Sequence, residues 1–391
     1  MFDRRYKISI IFNANKVYDR GVICGIGEYF QASQCDWDIY IEEDFYSRHR
    51  NLKLDACDGI IADFDDPALE DVLSQSDAVV VGVGGSYHSD ADYPKVPYIA
   101  TDNHHLVEQA FKHLRSKGLE NFAFYGLPEN QKHRWAAERE YAFKSILTSQ
   151  GCSGSVYQGY ETNPENWTYT INRLADWLQS FSEPTGIIAV TDSRARHLLQ
   201  VCDHLRIMVP DKIAVIGIDN EELTQYLSRV SLSSVEQGTK QMGYEAAKLL
   251  HQRLSGKLMH NPRLLIPSVK VHERQSTDYK PYKDPYVIQA MHYIRLNACK
   301  GIKVEQVLSH VGISRSNLES RFKSETDHSI HQEIHNIKLE KAKELLTGTS
   351  LAIQEIAEVC GYPSLQYMYS VFKKECDITP KDYRSLHQYE M

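Results

Sequence analysis

The chain has 391 residues, of which 42 % are hydrophobic and 25 % charged, and its formal net charge is −8. These values are typical of a globular protein and indicate two or three domains, each with its own hydrophobic core. The eight cysteines are scattered without a C-x-x-C pair, which argues against a zinc site or a disulfide framework and favours a reducing compartment. The apolar run before Asn13 is too short for a signal peptide or a membrane span, so we expect a cytoplasmic protein without a membrane partner.

The negative charge lies in the first part of the chain. From Pro285 onward there are 13 basic and 13 acidic residues, which leaves 31 basic and 39 acidic residues before that point. A polyanionic partner of the first part is therefore disfavoured. If the last part binds DNA, it must do so through a locally arranged face, because it has no excess of positive charge.

Short apolar runs alternate with amphipathic stretches from the N-terminus to about Lys270. The runs predict buried strands at residues 8–12, 59–62, 78–83, 98–100, 122–125, 186–190 and 213–218. Helical periodicity is found between them at residues 106–117, 138–150, 170–180 and 194–205. Buried strands alternating with helices indicate parallel sheets built from βαβ units. The number of units favours two doubly wound lobes, with a ligand between them at the carboxyl ends of the strands.

Residues 276–285 contain two prolines and no apolar periodicity, and we interpret them as a linker. The linker separates a domain at residues 1–275 from a second domain at residues 286–391. Every segment of the second domain has a helical pattern, so the fold class changes from α/β to all-α at the linker. The predicted helices are 285–297, 303–311, 314–325, 329–346, 353–360, 364–375 and 380–387.

The helical domain repeats itself. The pattern V-x-x-V-L-x-x-V-G-I-S at residues 304–314 recurs as I-x-x-I-A-x-x-C-G-Y-P at residues 353–363. Each copy continues to a Phe-Lys pair, which begins at Phe322 and at Phe372. A helix, a glycine-containing turn and a second helix opened by a serine cap form a helix-turn-helix. The sequence therefore predicts two such motifs.

The second helix of each copy has an apolar stripe and a polar face. Leu318, Phe322, Met368 and Phe372 are predicted to be buried, because the members of each pair lie one helical turn apart. The polar face is predicted to contact base edges in the major groove. It comprises Arg315, Ser316, Glu319 and Ser320 in the first copy and Ser364, Leu365, Gln366, Tyr369 and Ser370 in the second. Phosphate contacts are predicted for Lys323, Lys373, Lys374, Lys381 and Arg384.

The paired motifs resemble the DNA-binding domain of the AraC/XylS family of transcription regulators. The stretches that carry this resemblance are GISRSNLESRFK at residues 312–323 and TPKDYR at residues 379–384. The resemblance covers roughly residues 287–386. It implies a domain that places two recognition helices in the major groove of promoter DNA.

The first domain resembles the sugar sensor of LacI-type regulators, which is itself similar to periplasmic sugar-binding proteins. Its motifs lie at residues 97–103, 113–118, 122–126, 138–143, 188–192, 215–222, 233–237 and 242–243. LacI-type regulators have their DNA-binding segment before the sensor, whereas here it follows. This order, together with the stretches FNANKVYDRGV, EEDF and GVGGSYH, resembles xylose-responsive regulators of the same mixed architecture.

The two resemblances together imply an α/β, two-lobed, periplasmic-binding-protein-like sensor followed by an all-α domain with two helix-turn-helix motifs. They imply a transcription activator with D-xylose as its inducer and double-stranded promoter DNA as its target. A homodimer and contact with RNA polymerase are expected from the same resemblance. The glycines at residues 81–85 lack the spacing of a nucleotide-binding turn, and no catalytic set is apparent, so we expect neither a cofactor nor enzyme activity.

Candidate ligand-binding residues are assigned by motif position. The first choices are Arg139, Thr191, Asp192 and Asp219, followed by Asn13, Asp66 and Gln237. Both Asp192 and Asp219 follow apolar runs, so they are placed to accept hydrogen bonds from sugar hydroxyls between the lobes. Arg139 offers a planar set of donors. Trp135, Tyr18 and Tyr87 are candidates for stacking on the sugar.

Several alternatives remain open. An aspartate after a strand is often a helix cap, which applies to Asp192 and Asp219, and Arg139 has Glu138 and Glu140 as possible surface partners. The same architecture would also suit another pentose or a sugar phosphate. A sugar-metabolising enzyme with a helical tail is a further alternative. A fourth is a binding module without a DNA function, which would make the two helix-turn-helix patterns coincidental.

Overall fold

The computed structural model describes residues 5–41, 57–73, 76–128, 133–257 and 260–387. The EEDF stretch at residues 42–45 lies outside these ranges. The chain divides into two compact units, Met1–Lys280 and Pro281–Met391. Within the described part of the chain, no helix is long and apolar enough to cross a membrane.

Strands and helices alternate through most of the first unit. Its strands are β1 (Tyr6–Ile11), β2 (Trp37–Ile41), β3 (Gly59–Asp63), β4 (Val79–Gly85), β5 (Tyr98–Thr101), β6 (Asn121–Tyr125), β7 (Gly154–Tyr157), β8 (Thr185–Ala189), β9 (Ile213–Ile218), β10 (Ser233–Val235), β11 (Arg263–Ile266) and β12 (Val271–His272). Its helices are α1 (Val17–Ser33), α2 (Pro67–Leu73), α3 (Asn103–Ser116), α4 (Arg134–Gln150), α5 (Trp167–Gln179), α6 (Asp192–Leu205), α7 (Glu222–Leu227) and α8 (Thr239–Leu254).

The strands form two six-stranded sheets, which define two lobes. Lobe 1 has the strand order β11-β5-β4-β3-β1-β2, and lobe 2 has the order β12-β10-β9-β8-β6-β7. Neighbouring strands are parallel except for the antiparallel pair β10 and β12. Every residue of β3 and β9 is buried, which explains why both are apolar apart from Asp63 at the end of β3, because helices cover both faces of such sheets. The predicted fold class is therefore confirmed.

The chain crosses between the lobes after β5, after β10 and after β11. Helix α8 follows a strand of lobe 2 but packs with α1 in the core of lobe 1. Two glycines permit this close helix pair, because a Cβ added at Gly25 would collide with the Lys240 carbonyl and one at Gly243 with the Val22 carbonyl. The crossing segments carry Asn103 and Gln237, which brings both residues to the space between the lobes.

The linker prediction is wrong at its N-terminal end. Ser276 and Thr277 are completely buried in lobe 2, where the Ser276 hydroxyl donates to the Val215 carbonyl at 2.6 Å. The Thr277 and Ser233 hydroxyls lie 2.6 Å apart. Small hydroxyl residues without apolar periodicity are typical of a linker, but here hydrogen bonding inside the lobe fixes them. The sensor therefore extends beyond residue 275.

The second unit is helical throughout its described residues. Its elements are α9 (Pro285–Asn297), α10 (Val304–Val311), α11 (Arg315–Thr326), α12 (Ile330–Gly348), α13 (Ile353–Val359), α14 (Leu365–Cys376) and α15 (Pro380–His387). Two hydrophobic clusters surround the two helix-turn-helix motifs, and α12 contributes Ile330 and Ile334 to one and Leu339, Ala342 and Leu346 to the other. The predicted buried stripes are confirmed, since Leu318, Phe322, Met368 and Phe372 have no exposed surface.

A glycine ends the first helix of each motif in a left-handed conformation. Gly312 has φ 77° and Gly361 has φ 68°, which residues with a Cβ rarely adopt. A Cβ at Gly361 would also collide with the Cys299 carbonyl. The tight turns predicted from the two glycines are therefore present.

Candidate functional site

A cavity of about 930 Å³ lies between the lobes at the carboxyl ends of the strands. Asp63 ends β3, Gly85 ends β4 and Thr101 ends β5, and all three line the cavity from lobe 1. Thr191 and Asp219 follow β8 and β9 and line it from lobe 2. This is the place predicted from the strand pattern, since open α/β sheets bind ligands at their strand ends.

Arg139 organises one wall of the cavity. Its side chain is almost completely buried, and Nε donates to Asn103 Oδ1 at 3.0 Å. Nη1 donates to the Val190 carbonyl at 2.6 Å, and Nη2 donates to Gln237 Oε1 at 3.0 Å. Burial lowers the pKa of the guanidinium from its ordinary value. The alternative of a surface ion pair is therefore wrong, and Arg139 lies at the cavity as predicted.

Asp219 and Gln237 continue this network. The Gln237 amide donates from Nε2 to Asp219 Oδ1 at 2.6 Å, so Gln237 links the aspartate to Arg139. Burial raises the pKa of Asp219 to about 6, although the Arg139 charge acts in the opposite direction. The backbone of Asp219 has φ 129°, a conformation that a non-glycine residue rarely adopts. Both predicted residues line the cavity, where they present fixed acceptors and donors.

Thr191 and Asp192 have different positions although they are adjacent in sequence. Thr191 lines the cavity, and its hydroxyl oxygen caps α6 by accepting from the Arg194 amide at 3.3 Å. Asp192 is completely buried behind the wall and is not among the lining residues. Its carboxylate accepts from the Ser234 hydroxyl at 2.6 Å and from the Glu221 amide at 2.7 Å. Asp192 therefore supports the loop that carries Asp219, instead of lying at the cavity as predicted.

The two candidate ligand-binding residues of lobe 1 also differ in position. Asp66 lines the cavity while its Oδ1 accepts from the Ala68 amide at the start of α2, at 3.1 Å. Asn13 does not line the cavity. Its backbone N–H donates to Asp19 Oδ2 at 2.6 Å, and its Oδ1 accepts from the backbone N–H of Asn15 at 3.1 Å. Asn13 therefore shapes the loop before α1, whose residues Asn15 and Lys16 line the cavity. The predicted residue, Asn13, therefore lies two positions before Asn15, which does line the cavity.

Several lining residues were not selected from the sequence. They include Lys16, Asp63, Asp65, Asn103, Ser193 and Glu221. The run Asp63-Phe-Asp-Asp66 at the end of β3 was a usable signal for two of them, since it places carboxylates at a strand end. Of the stacking candidates, Trp135 and Tyr18 line the cavity, whereas Tyr87 does not.

Among the cavity-lining residues that the structure describes, carboxylates outnumber cations. Asp19, Asp63, Asp65, Asp66, Asp219 and Glu221 line the cavity, together with the cations Lys16 and Arg139. The three Arg139 donor groups already bind protein acceptors, and Lys16 Nζ lies 3.5 Å from Asp63 Oδ2. Such a wall suits a neutral ligand with many hydroxyl donors and disfavours an anion.

The side chains on the polar face of α14 make few hydrogen bonds within their own domain. Ser364 caps the helix, since its hydroxyl oxygen accepts from the Tyr367 amide at 3.1 Å, as predicted. Gln366 is exposed, and Leu365 and Tyr369 are half-buried beside it. Ser370 is exposed and donates to the Tyr367 carbonyl at 2.7 Å. This face therefore presents mixed polar and apolar side chains near the helix N-terminus, as base contacts require.

On the corresponding face of α11, two side chains have partners within the same domain. Arg315 Nη1 lies 3.4 Å from Glu305 Oε1, and Glu319 Oε2 accepts from the Ile330 amide at 3.5 Å. Ser316 and Ser320 are exposed. Ser314 precedes the helix but makes no side-chain cap, so the predicted serine cap is present only in the second motif.

The residues predicted to contact phosphates also differ in their exposure and in their partners. Lys323 and Lys373 are exposed on the two second helices, and exposed Lys374 pairs with Glu375 at 2.8 Å. Arg384 donates to the Leu346 carbonyl at 3.1 Å and to the Leu351 carbonyl at 2.6 Å. Its guanidinium therefore caps the end of α12, and the prediction of a phosphate contact for Arg384 is not supported.

Comparison with known proteins agrees with this architecture. Residues 7–104 match the XylR N-terminal domain, residues 111–277 a periplasmic binding protein-like domain, and residues 307–385 a helix-turn-helix domain. The second match includes the buried Ser276 and Thr277. The lac repressor in complex with its operator is 14 % identical with a TM-score of 0.55 over 70 % of this chain, which shows a likeness of fold alone.

Full-length relatives give the family. The chain is 62 % identical over 387 residues to the xylose operon regulatory protein of Escherichia coli strain K12, with 99 % of each chain covered. It is 54 % identical over 384 residues to the protein of the same name from Haemophilus influenzae, with 98 % of this chain and 99 % of the relative covered. A solved structure of the xylose-binding transcription activator XylR matches with a TM-score of 0.90 and 61 % identity, over 99 % of this chain and 100 % of that one.

These relatives are transcription regulators, and no enzyme family is indicated. The alternative of a sugar-metabolising enzyme with a helical tail is therefore set aside. The cavity between two lobes, the paired helix-turn-helix motifs after it and the full-length identity lead to one conclusion: the chain belongs to the family of xylose operon regulatory proteins.

Proposed function

We propose that this chain is a D-xylose-dependent activator of genes for xylose transport and catabolism. The observation that carries the proposal is the full-length identity of 62 % to a xylose operon regulatory protein, with the same order of sensor and DNA-binding domain. The cavity supports it independently, because its walls offer fixed acceptors and donors for a neutral polyhydroxyl ligand.

In this proposal D-xylose binds between the lobes. Asp219 accepts hydrogen bonds from sugar hydroxyls, and Thr191 contributes its hydroxyl. Arg139 and Gln237 hold the wall in shape through their mutual bond at 3.0 Å. Trp135 offers an apolar ring to the C–H face of the sugar. A pentose phosphate is disfavoured, since its charge would face the carboxylates of the wall.

The DNA-binding unit would place α11 and α14 in successive segments of the major groove. Successive segments on one face of DNA lie about 34 Å apart. We propose that Gln366 and Arg315 contact bases and that Ser316, Glu319, Ser320, Leu365, Tyr369 and Ser370 surround them. Lys323, Lys373 and Lys374 would bind phosphates, and Ser364 would keep its capping role at the start of α14.

Activation requires the sugar to bind one arrangement of the sensor better than another. We propose that D-xylose favours the closed arrangement of the lobes in a homodimer paired through its sensors. Such a dimer would favour two binding sites on the promoter. Contact with RNA polymerase and a cytoplasmic location complete the proposal, and both are carried over from the family.

The proposal is tested by calorimetric titration of the purified full chain with D-xylose, L-arabinose, D-ribose and a pentose phosphate. We expect saturable binding of D-xylose and none of the phosphate. Gel-shift measurements with a promoter of xylose transport and catabolism genes, with and without D-xylose, then test regulation. Absence of D-xylose binding at several temperatures, while another sugar binds, would overturn the proposed inducer and leave the architecture intact.

A further inference from the structure

Arg134 begins helix α4, which belongs to lobe 2, but its side chain bonds to lobe 1. Nη2 donates to Asp65 Oδ1 at 2.7 Å. Nη1 donates to two carbonyls at the end of β4, to Ser86 at 2.6 Å and to Gly85 at 3.1 Å. The body of α4 packs in the core of lobe 2 through residues such as Phe143. One guanidinium thus connects the two lobes directly.

A tyrosine ring also covers one face of the Arg134 guanidinium. Its Cζ atom lies 3.6 Å from the centroid of the Tyr87 ring, and Nη2 lies 3.5 Å from the hydroxyl of the buried Tyr98. The Arg134 side chain is 23 % exposed and Asp65 is 13 % exposed. Stacking and a fork of donors at fixed angles are interactions of arginine that lysine does not reproduce.

The lobes are closely packed at this contact. A Cβ added at Gly85 would lie 2.9 Å from the Cβ of Trp135 and 3.1 Å from Asn103 Nδ2. Trp135 is the residue after Arg134, so the start of α4 lies directly against the end of β4. Only a residue without a side chain fits there while the lobes keep this separation.

Arg134 and Arg139 lie on the same helix and have separate tasks. Arg139 bonds to Asn103, Val190 and Gln237, which belong to lobe 2 or to the crossing segments. Arg134 bonds across the cleft and is not part of the cavity wall, although its partner Asp65 is. Helix α4 thus organises the wall with one guanidinium and holds the opposite lobe with the other.

We propose that Arg134 is a positioning residue that latches lobe 1 to lobe 2 in the sugar-binding arrangement and holds the Asp65 carboxylate at the cavity wall. The inference rests on the proposed function only in taking D-xylose as the ligand. A sugar that binds between closed lobes has an apparent affinity proportional to the closed fraction. The latch increases that fraction, so its loss weakens binding without removing a direct ligand contact.

The latch has a second consequence for Asp65. Both carboxylate oxygens accept from the Gly85 amide, at 3.1 and 3.0 Å. Burial and then the neighbouring Asp63 raise the pKa of Asp65 to about 6, and Arg134 is the largest influence in the opposite direction. Lys16, just before α1, also lowers this pKa, and the phenols of Tyr18 and Tyr98 face the same carboxylate. Without Arg134 the pKa rises further, so more Asp65 is protonated near neutral pH. The pH dependence of sugar binding then moves to higher pH.

The test compares Arg134→Gln and Arg134→Lys with the matched control Lys144→Gln in the full chain. Lys144 lies on the same helix, is 58 % exposed and pairs with Glu140 within lobe 2. We expect D-xylose to bind Arg134→Gln about 10- to 100-fold more weakly at pH 7.5, the range for losing hydrogen bonds to a charged group. Arg134→Lys should be intermediate, and Lys144→Gln should match the wild type.

Two further measurements separate a latch from a general structural role. Calorimetry from pH 5.5 to 8.5 should show the rise of affinity with pH at a higher pH in Arg134→Gln than in the wild type. Hydrogen exchange with mass spectrometry should show faster exchange in Arg134→Gln at residues 79–101 without sugar, and recovered protection with saturating D-xylose.

The inference is overturned if Arg134→Gln matches Lys144→Gln in affinity and in exchange. It is also overturned if affinity falls while the pH profile and the exchange at residues 79–101 stay as in the wild type. If the wild type itself gives no heat with D-xylose, the proposed inducer fails. The exchange comparison without sugar then still decides whether Arg134 latches the lobes.

Discussion

The sensor cavity and the helix α14 hold their polar side chains in opposite ways. At the cavity, Arg139 and Asp219 are joined through Gln237, and Asp192 fixes the neighbouring loop from behind. On α14 the Gln366 side chain is exposed. A bonded and buried network is ordered before the ligand arrives, whereas an exposed side chain is ordered by its target.

Because of this difference, substitutions at the cavity should affect neighbouring residues more than substitutions on α14 do. Removing one member of the cavity network leaves its buried partner without a hydrogen bond, so the effect includes that partner. Removing one exposed side chain from a DNA-facing helix affects mainly its own contact. Helix α11 lies between these cases, because its Arg315 and Glu319 already have partners within their domain.

The largest expected effect is that of Asp219→Asn on sugar binding. The variant keeps the shape of the side chain and tolerates the positive φ, but it removes the charge that accepts hydroxyl hydrogen bonds. We expect about 100-fold weaker D-xylose binding by calorimetry, which is near the upper value for a charged hydrogen bond. Asp176→Asn, at an exposed ion pair of α5, is the control. Equal affinities of the two variants would show that Asp219 does not contact the sugar.

Base contacts give the next largest effect. We expect Gln366→Ala to weaken promoter binding by about 1–3 kcal/mol and to relax the preference at one base pair, measured by fluorescence anisotropy on single-base variants. Arg315→Ala should cost less, because Arg315 must first leave Glu305. Gln332→Ala, at an exposed position of α12, is the control. A larger loss for Arg315→Ala than for Gln366→Ala would reverse the proposed ranking of the two helices.

A smaller effect distinguishes two cations of the DNA-binding unit. Lys373→Ala should reduce the slope of log affinity against log salt by about 1, as for the loss of one phosphate contact. Arg384→Ala should leave that slope unchanged and lower the thermal stability of the unit, because its guanidinium caps α12. A reduced slope for Arg384→Ala with unchanged stability would restore it as a phosphate contact.

A further prediction concerns how the stability of the sensor depends on pH. Burial, and then the Asp219 charge, raise the pKa of Asp192 to about 7, from an ordinary value of about 4. The folded chain therefore keeps a proton that the unfolded chain releases, so the free energy of unfolding falls as the pH rises from about 4 to 7. Asp192→Asn should lose less stability than the wild type between pH 5 and pH 8.

The measurement is the thermal midpoint of the sensor as a function of pH, compared between the wild type and Asp192→Asn. Asp176→Asn is the control. The control carboxylate is 68 % exposed and should leave the wild-type pH dependence unchanged. A steeper fall of the Asp192→Asn midpoint with pH than that of the wild type would contradict a raised pKa for Asp192.

Much of the DNA-binding unit could be predicted from sequence because its signals are local. The spacing of Leu318 and Phe322, and of Met368 and Phe372, indicated which side of each helix is buried, since a helix returns to the same face every three to four residues. The glycines in the two turns were equally local signals. The carbonyl partners of Arg384 could not be predicted from local signals, because Leu346 and Leu351 are 38 and 33 residues away.

In the sensor, the strand pattern predicted two lobes and a ligand between them. The sequence predicted only some of the residues that form the cavity wall. Thr191, Asp219 and Gln237 were placed at the cavity by their motifs, and all three line it. Asp192 follows the same kind of strand as Asp219, yet it turns away from the cavity. The side to which such a residue points is decided by its distant partners, here Ser234 and the Glu221 amide.

Periodic patterns along the chain predicted the order of the two domains, the parallel sheets of the sensor, the two helix-turn-helix motifs and their buried stripes. All of these depend on periodicity within single elements. Two contacts became evident only from the folded chain: Arg139 binds Gln237, 98 residues away, and Arg134 binds Asp65, 69 residues away. Such contacts depend on how sheets and crossing segments pack in three dimensions, and the spacing of residues along the chain does not encode that packing.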